Sequence, residues 1–129
     1  MALDVRLWDR VFDQYVQGPM QAIVAARMFG TQADMGKHHA MLDTAYRMID
    51  QRMAARPWVA GDMFSMAACG AAPALFYAST VHGFPGKCSN LAACFERLMA
   101  RPSVMRVIDD AKPYFSMYPF ADQVPARFR

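Results

Sequence analysis

Residues 57–77 read Pro57-Trp58-Val59-Ala60-Gly61-Asp62-Met63-Phe64-Ser65-Met66-Ala67-Ala68-Cys69-Gly70-Ala71-Ala72-Pro73-Ala74-Leu75-Phe76-Tyr77, and the change of character part-way through decides the fold. Up to Met63 there is no helical period and there are turn residues at both ends, so this part reads as a connecting loop. From Ser65 the chain becomes an almost uncharged run of small and large apolar residues reaching about His82, which predicts a helix buried in a core. Ser65 occupies the position of a structural cap, where a hydroxyl accepts the exposed amide two or three residues on. Pro73 predicts a bend. The weakly charged stretch from Met63 to Val81 is interrupted by Gly70, Pro73, Ser79 and Thr80 and has no basic flank, so a membrane span is excluded.

Outward from this core helix the chain continues in helical periods. Val5, Trp8, Phe12, Tyr15 or Val16, Ile23 and Met28 recur at helical steps and predict one long amphipathic helix from about residue 4 to about residue 29. Asp4 is placed to cap its start and Gly30-Thr31 to end it, with a bend at Gly18-Pro19. Leu42, Ala45, Tyr46, Ile49 and Met53 hold one face of a second helix from about Asp34 to Ala55, with Lys37, Asp43, Arg47, Asp50 and Arg52 on the others. Beyond the core helix, Phe84-Pro85-Gly86 and Ser89-Asn90 mark a break. Leu91, Phe95, Leu98 and Met99 give a fourth helix, and Ser103-Val104 with Val107 and Ile108 a fifth. The tail from Pro113 to Arg129, with three prolines and the aromatics Tyr114, Phe115, Tyr118 and Phe120, reads as an extended segment laid over the bundle. No segment alternates long enough to demand a strand. The expected fold is an all-α bundle of about five helices forming one domain over residues 1–129.

Composition narrows the functional classes. Hydrophobic residues make up 55% of the 129 and charged residues 19%, which excludes a disordered chain. The net charge of +3 comes from Arg and Lys spread along the sequence without a run that would track a phosphate backbone, so no nucleic-acid partner is expected. The first ten residues alternate charged and apolar side chains and lack the apolar core of a signal peptide, so a cytoplasmic location is expected. Cys69, Cys88 and Cys94 form no ligand or disulfide pattern and read as buried thiols. Adjacent histidines on a helix project about 100° apart and cannot grip one ion from one face, so His38, His39 and His82 read as solvent-facing and no metal site is expected. Asp13, Asp43, Asp50, Asp109 and Asp110 read as solvated acids among arginines. Twelve methionines read as core filling ahead of a pocket lining.

The segment Trp58-Val59-Ala60-Gly61-Asp62-Met63-Phe64-Ser65-Met66-Ala67-Ala68 resembles the W-x-x-G-D-x-F-S-x-A-D signature opening the core helix of the C-terminal domain of cytosolic glutathione S-transferases. Ala72-Pro73-Ala74-Leu75-Phe76-Tyr77, Leu91-Ala92 through Arg97, and Ala100-Arg101-Pro102-Ser103-Val104 resemble the family's following stretches in order and spacing. Asp9 to Val16 with Pro19-Met20 is similar to the first helix of this domain in one bacterial branch. Ala68 stands where the family's capping acid belongs. The resemblance implies the helical half of a transferase, without the thioredoxin-like N-terminal domain that binds glutathione and activates its thiol. It therefore implies no catalytic residue here, and no cofactor except glutathione where a thioredoxin-like domain is supplied.

The same resemblance places a hydrophobic substrate wall at Phe12, Tyr15, Val16, Met20, Tyr114 and Phe115, and matches Asp13 to an acid that in some classes reaches glutathione across a dimer. The expected partners are a second copy in a homodimer or a thioredoxin-like domain, with a small hydrophobic ligand. Whether the chain counts as an enzyme depends on that domain, since inactivity is expected without it. A free-standing interaction or assembly module is the alternative, and a carrier of small apolar ligands a third reading.

Overall fold

Apolar residues at helical spacing near the N-terminus form one long rod, but the rod is not uniform. It comprises α1 (Ala2–Val11), a π-helical turn (Phe12–Gln17) and α2 (Gly18–Met28). The expected bend at Gly18-Pro19 is thus realised as a widened turn just before the proline. Proline lacks an amide hydrogen and its ring crowds the preceding turn; opening that turn to the i to i−5 pattern, with the Gly18 amide donating to the Asp13 carbonyl, makes room for it. The rod closes at Gly30, whose φ of +66° is the left-handed conformation that favours glycine after a helix. Asp4 does not cap: the helix already runs from Ala2, so Asp4 lies in its first turn and its carboxylate pairs with Arg52 of a later helix.

The computed structural model describes residues 2–30, 34–54, 56, 58 and 64–129. Thr31, Ala55, Pro57 and the loop residues Val59, Ala60, Gly61, Asp62 and Met63 lie outside the described residues. Helix α3 (Gly36–Arg52) buries Leu42, Ala45, Tyr46 and Ile49, and Met53 just after it is buried too, as their spacing predicts. Helix α4 (Met66–Val81) runs through the centre and stays helical across Pro73. Its buried Ala67, Ala68, Ala71, Ala74 and Ala78 keep its surface thin, so α1, the π turn, α2 and α5 (Ser89–Met99) pack directly on it.

Helix α5 begins at Ser89, inside the stretch expected as a break, because the carboxylate of Asp50 on α3 accepts the Leu91 amide at 2.8 Å and caps it from outside. Helix α6 (Pro102–Ala111) starts with proline in its first turn and buries Ile108. The tail is not extended. It coils into three 3₁₀ segments, Lys112–Met117, Ala121–Gln123 and Ala126–Phe128, which let Phe115, Phe120, Val124 and Phe128 turn inward onto the bundle. Short 3₁₀ turns suit such a segment, since its prolines interrupt any longer hydrogen-bond ladder.

Counting α1 and α2 as one rod, the described residues give five helical rods and no strand. The fold is all-α. Among the described residues no helix is long and apolar enough to cross a membrane.

Candidate functional site

Two cavities lie on adjacent flanks of α4 and share one residue, Pro73. The first is an open groove of about 390 Å³ between α4 and α6. Phe64, Ala72, Phe76, Val104, Val107 and Ile108 make it almost wholly apolar, and Cys69, Tyr77 and Ser103 also line it. Cys69 is exposed, not buried as expected, while Cys88 and Cys94 are buried and burial pushes both of their thiols up. The second cavity, about 450 Å³, lies between α4 and the rod. Asp9, Arg10, Asp13, Gln17 and Gln21 line it with polar groups, and Phe12 contributes an apolar wall. The packing there is tight: a Cβ on Gly70 would come within 2.9 Å of the Asp9 Oδ1 atom.

The residues expected to form a substrate wall divide between one core cluster and the surface. Phe12, Val16, Met20 and Phe115 are buried packing residues, whereas Tyr15 and Tyr114 present exposed rings. Of the six, Phe12 lines the polar recess and none lines the apolar groove. Asp13 lies exposed at the recess, 3.8 Å from Arg10 one turn earlier. The groove instead draws on α6, where Val104, Val107 and Ile108 follow the helical stripe that predicts the fifth helix. A stripe facing a groove and a stripe facing a core have the same period, so sequence alone does not separate them.

Ser65 has the extended backbone of a cap residue, with φ −136° and ψ 179°, and its carbonyl accepts the Cys69 amide at 3.0 Å. Its hydroxyl makes no cap bond and is buried without a hydrogen-bond partner among the described residues. The cap is therefore formed by backbone alone, a correction to the expectation for this side chain. Trp58 and Phe64, at the two ends of the loop, meet edge to face at 5.5 Å, and the Arg101 guanidinium lies 3.8 Å over the Phe64 ring.

The histidines do not face solvent separately. Nδ1 of His39 on α3 lies 2.8 Å from Nδ1 of His82 at the end of α4, and Nε2 of His82 lies 2.6 Å from the Asp43 carboxylate. The Tyr46 hydroxyl donates to the His82 carbonyl at 2.8 Å, and its ring stacks on the imidazole with centroids 5.8 Å apart. Burial first, then the neighbouring His82, holds His39 below the ordinary histidine range and so favours its neutral form. Asp43 and Asp50 are therefore not merely solvated acids, since one orients an imidazole and the other caps a helix. One signal was available: His39, Asp43 and Tyr46 are spaced i, i+4, i+7 and share a face of α3. Nothing local pointed to His82, forty-three residues away from His39. Among the described residues no group of three or more His, Cys, Asp or Glu side chains is placed to hold a metal ion.

A sequence model of the family described as glutathione S-transferase, C-terminal domain, matches residues 21–110. No curated protein and no solved structure matches the chain.

Proposed function

The chain belongs to the glutathione S-transferase C-terminal domain family, and from that premise we propose that it supplies the hydrophobic co-substrate surface and subunit contacts of a glutathione transferase whose thiol chemistry resides on a thioredoxin-like domain. The observation that supports this reading is the pair of cavities meeting at Pro73, one apolar and one polar. A conjugating enzyme must hold an apolar electrophile beside a charged tripeptide, and such a juxtaposition suits both. In this reading the groove takes the electrophile, and Asp13 at the recess faces the glutathione amine, within a dimer or from a docked domain. The proposed location is the cytoplasm, where the three free cysteines remain reduced.

Thiol activation in this chemistry needs hydrogen-bond donors aimed at the sulfur. In this reading those donors belong to the thioredoxin-like domain, so the chain by itself is expected to leave glutathione conjugation of a chromogenic electrophile at the buffer rate. Binding of an apolar fluorescent dye in the groove, displaced by the electrophile and abolished by Val107→Glu, is the matching positive result. Val107 is 66% exposed, so the substitution spares the core. Conjugation well above buffer, or dye binding indifferent to Val107→Glu, overturns the proposal.

A second reading, a free-standing assembly module, draws on Leu3 and Leu7, one turn apart on α1 and both exposed. Sedimentation and dye binding together separate the two, because self-association without dye binding in the groove favours the assembly module, whereas dye binding abolished by Val107→Glu favours the transferase reading.

A further inference from the structure

The two imidazoles of His39 and His82 face each other Nδ1 to Nδ1, and each can present only one hydrogen or one lone pair there. An ionised carboxylate accepts and does not donate, so in a neutral His82 the contact with Asp43 places the hydrogen on Nε2 and leaves Nδ1 as a lone pair. The hydrogen between the rings then belongs to His39. Moving it to the other nitrogen of that ring presents a second lone pair at the same point, with no net loss of a proton. A carboxylate on the far nitrogen of a histidine is also the usual support of a metal-bound imidazole.

We infer that His39 and His82 form a two-histidine site for a divalent transition-metal ion, copper(II) or nickel(II) in preference to zinc(II), with Asp43 as the outer carboxylate that orients His82. The preference follows from distance. With metal–nitrogen bonds of about 2.0–2.1 Å, two nitrogens 2.8 Å apart subtend roughly 85–90° at the ion. That is the angle between neighbouring ligands in tetragonal copper and nickel sites, whereas tetrahedral zinc requires the rings to spread by about half an ångström. The other coordination positions fall to water, which reaches the cluster because the side chains of His82 and Asp43 are 22% and 44% exposed. With two protein ligands the site sits below the three-residue groups that bind metal on their own side chains alone, and its affinity is correspondingly modest. The two rings must turn to aim both lone pairs at one ion, since centroids 4.9 Å apart point the nitrogens nearer to each other, while the Tyr46 hydroxyl on the His82 carbonyl and Asp43 on its ring keep His82 in place.

The site lies apart from the cavities beside Pro73 and does not depend on the transferase reading. Calorimetry and visible absorption with copper(II) or nickel(II) salts, on the untagged 129-residue chain, test it. One ion per chain is expected, with a rise in thermal midpoint and selective paramagnetic broadening of the His39 and His82 ring protons. His39→Gln and His82→Gln each weaken binding at least tenfold, Asp43→Asn weakens it about 10–100-fold, as loss of an outer carboxylate does, and His38→Gln leaves it unchanged. Far-UV circular dichroism checks that each variant folds; should His82→Gln fail to fold, His39→Gln and the broadening pattern decide. Unaltered affinity in His39→Gln, broadening centred on other residues, or no uptake of either metal overturns the inference.

Discussion

Ser65 and Ala68 form half of a reciprocal helix cap. In the full arrangement the hydroxyl at the cap and an acid at the third helical position each satisfy an amide of the other's turn. Here the third position is Ala68, which is buried, and the Ser65 hydroxyl is buried without a partner among the described residues. Replacing a working cap serine costs about 1 kcal/mol. Because no such bond is made, Ser65→Ala is expected to change unfolding free energy by less than about 0.5 kcal/mol, while Ala68→Asp is expected to gain about 1 kcal/mol by completing the pair. Urea denaturation of both variants checks this, and a loss of 1 kcal/mol or more in Ser65→Ala would show that the hydroxyl caps after all. The position of the cap was legible in the sequence, since it depends on local composition. Whether the hydroxyl is used depends on atoms a few residues away and was not.

Among the elements, the C-terminal segment departs most from expectation. Its prolines and aromatics suggested an extended strap, yet it coils so that Phe128 packs edge-on against Phe76 at 5.4 Å and Phe95 at 6.4 Å. The last turn is latched by Arg127, which donates to both oxygens of Glu96 on α5 at 2.8 and 2.6 Å. Those hydrogen bonds hold the Glu96 carboxyl below its ordinary value of 4.5. A carboxyl depressed by folding stabilises the latched state above its unfolded value and loses that contribution as pH falls through the folded one. Amide exchange at residues 126–128, corrected for intrinsic rates, is therefore expected to accelerate below about pH 4.5, and Glu96→Gln to remove the acid-dependent step. Acceleration of equal size in Glu96→Gln would assign the effect to another group. The pairing joins residues thirty-one apart, so no local pattern announced it.

The molecule as a whole is organised around α4, whose Leu75 is completely buried. Leu75→Ala is expected to cost about 2–5 kcal/mol, a large share of the roughly 5–15 kcal/mol that holds a domain together. If residues 1–129 act as one cooperative unit, far-UV dichroism and tryptophan fluorescence will trace one superimposed transition in both proteins. A loss under 1 kcal/mol, or two separated transitions, argues for looser organisation. The helical periods, the buried face of α3, the stop at Gly30 and the family are legible in the residues alone, because each is written in positions close in the chain or in short ordered motifs. The capping of α5 by Asp50, the two cavities about Pro73 and the meeting of His39 with His82 follow from tertiary packing alone. Those features arise where separate helices press against one another, and the chain's local chemistry sets which face each helix buries without fixing which partner it finds there.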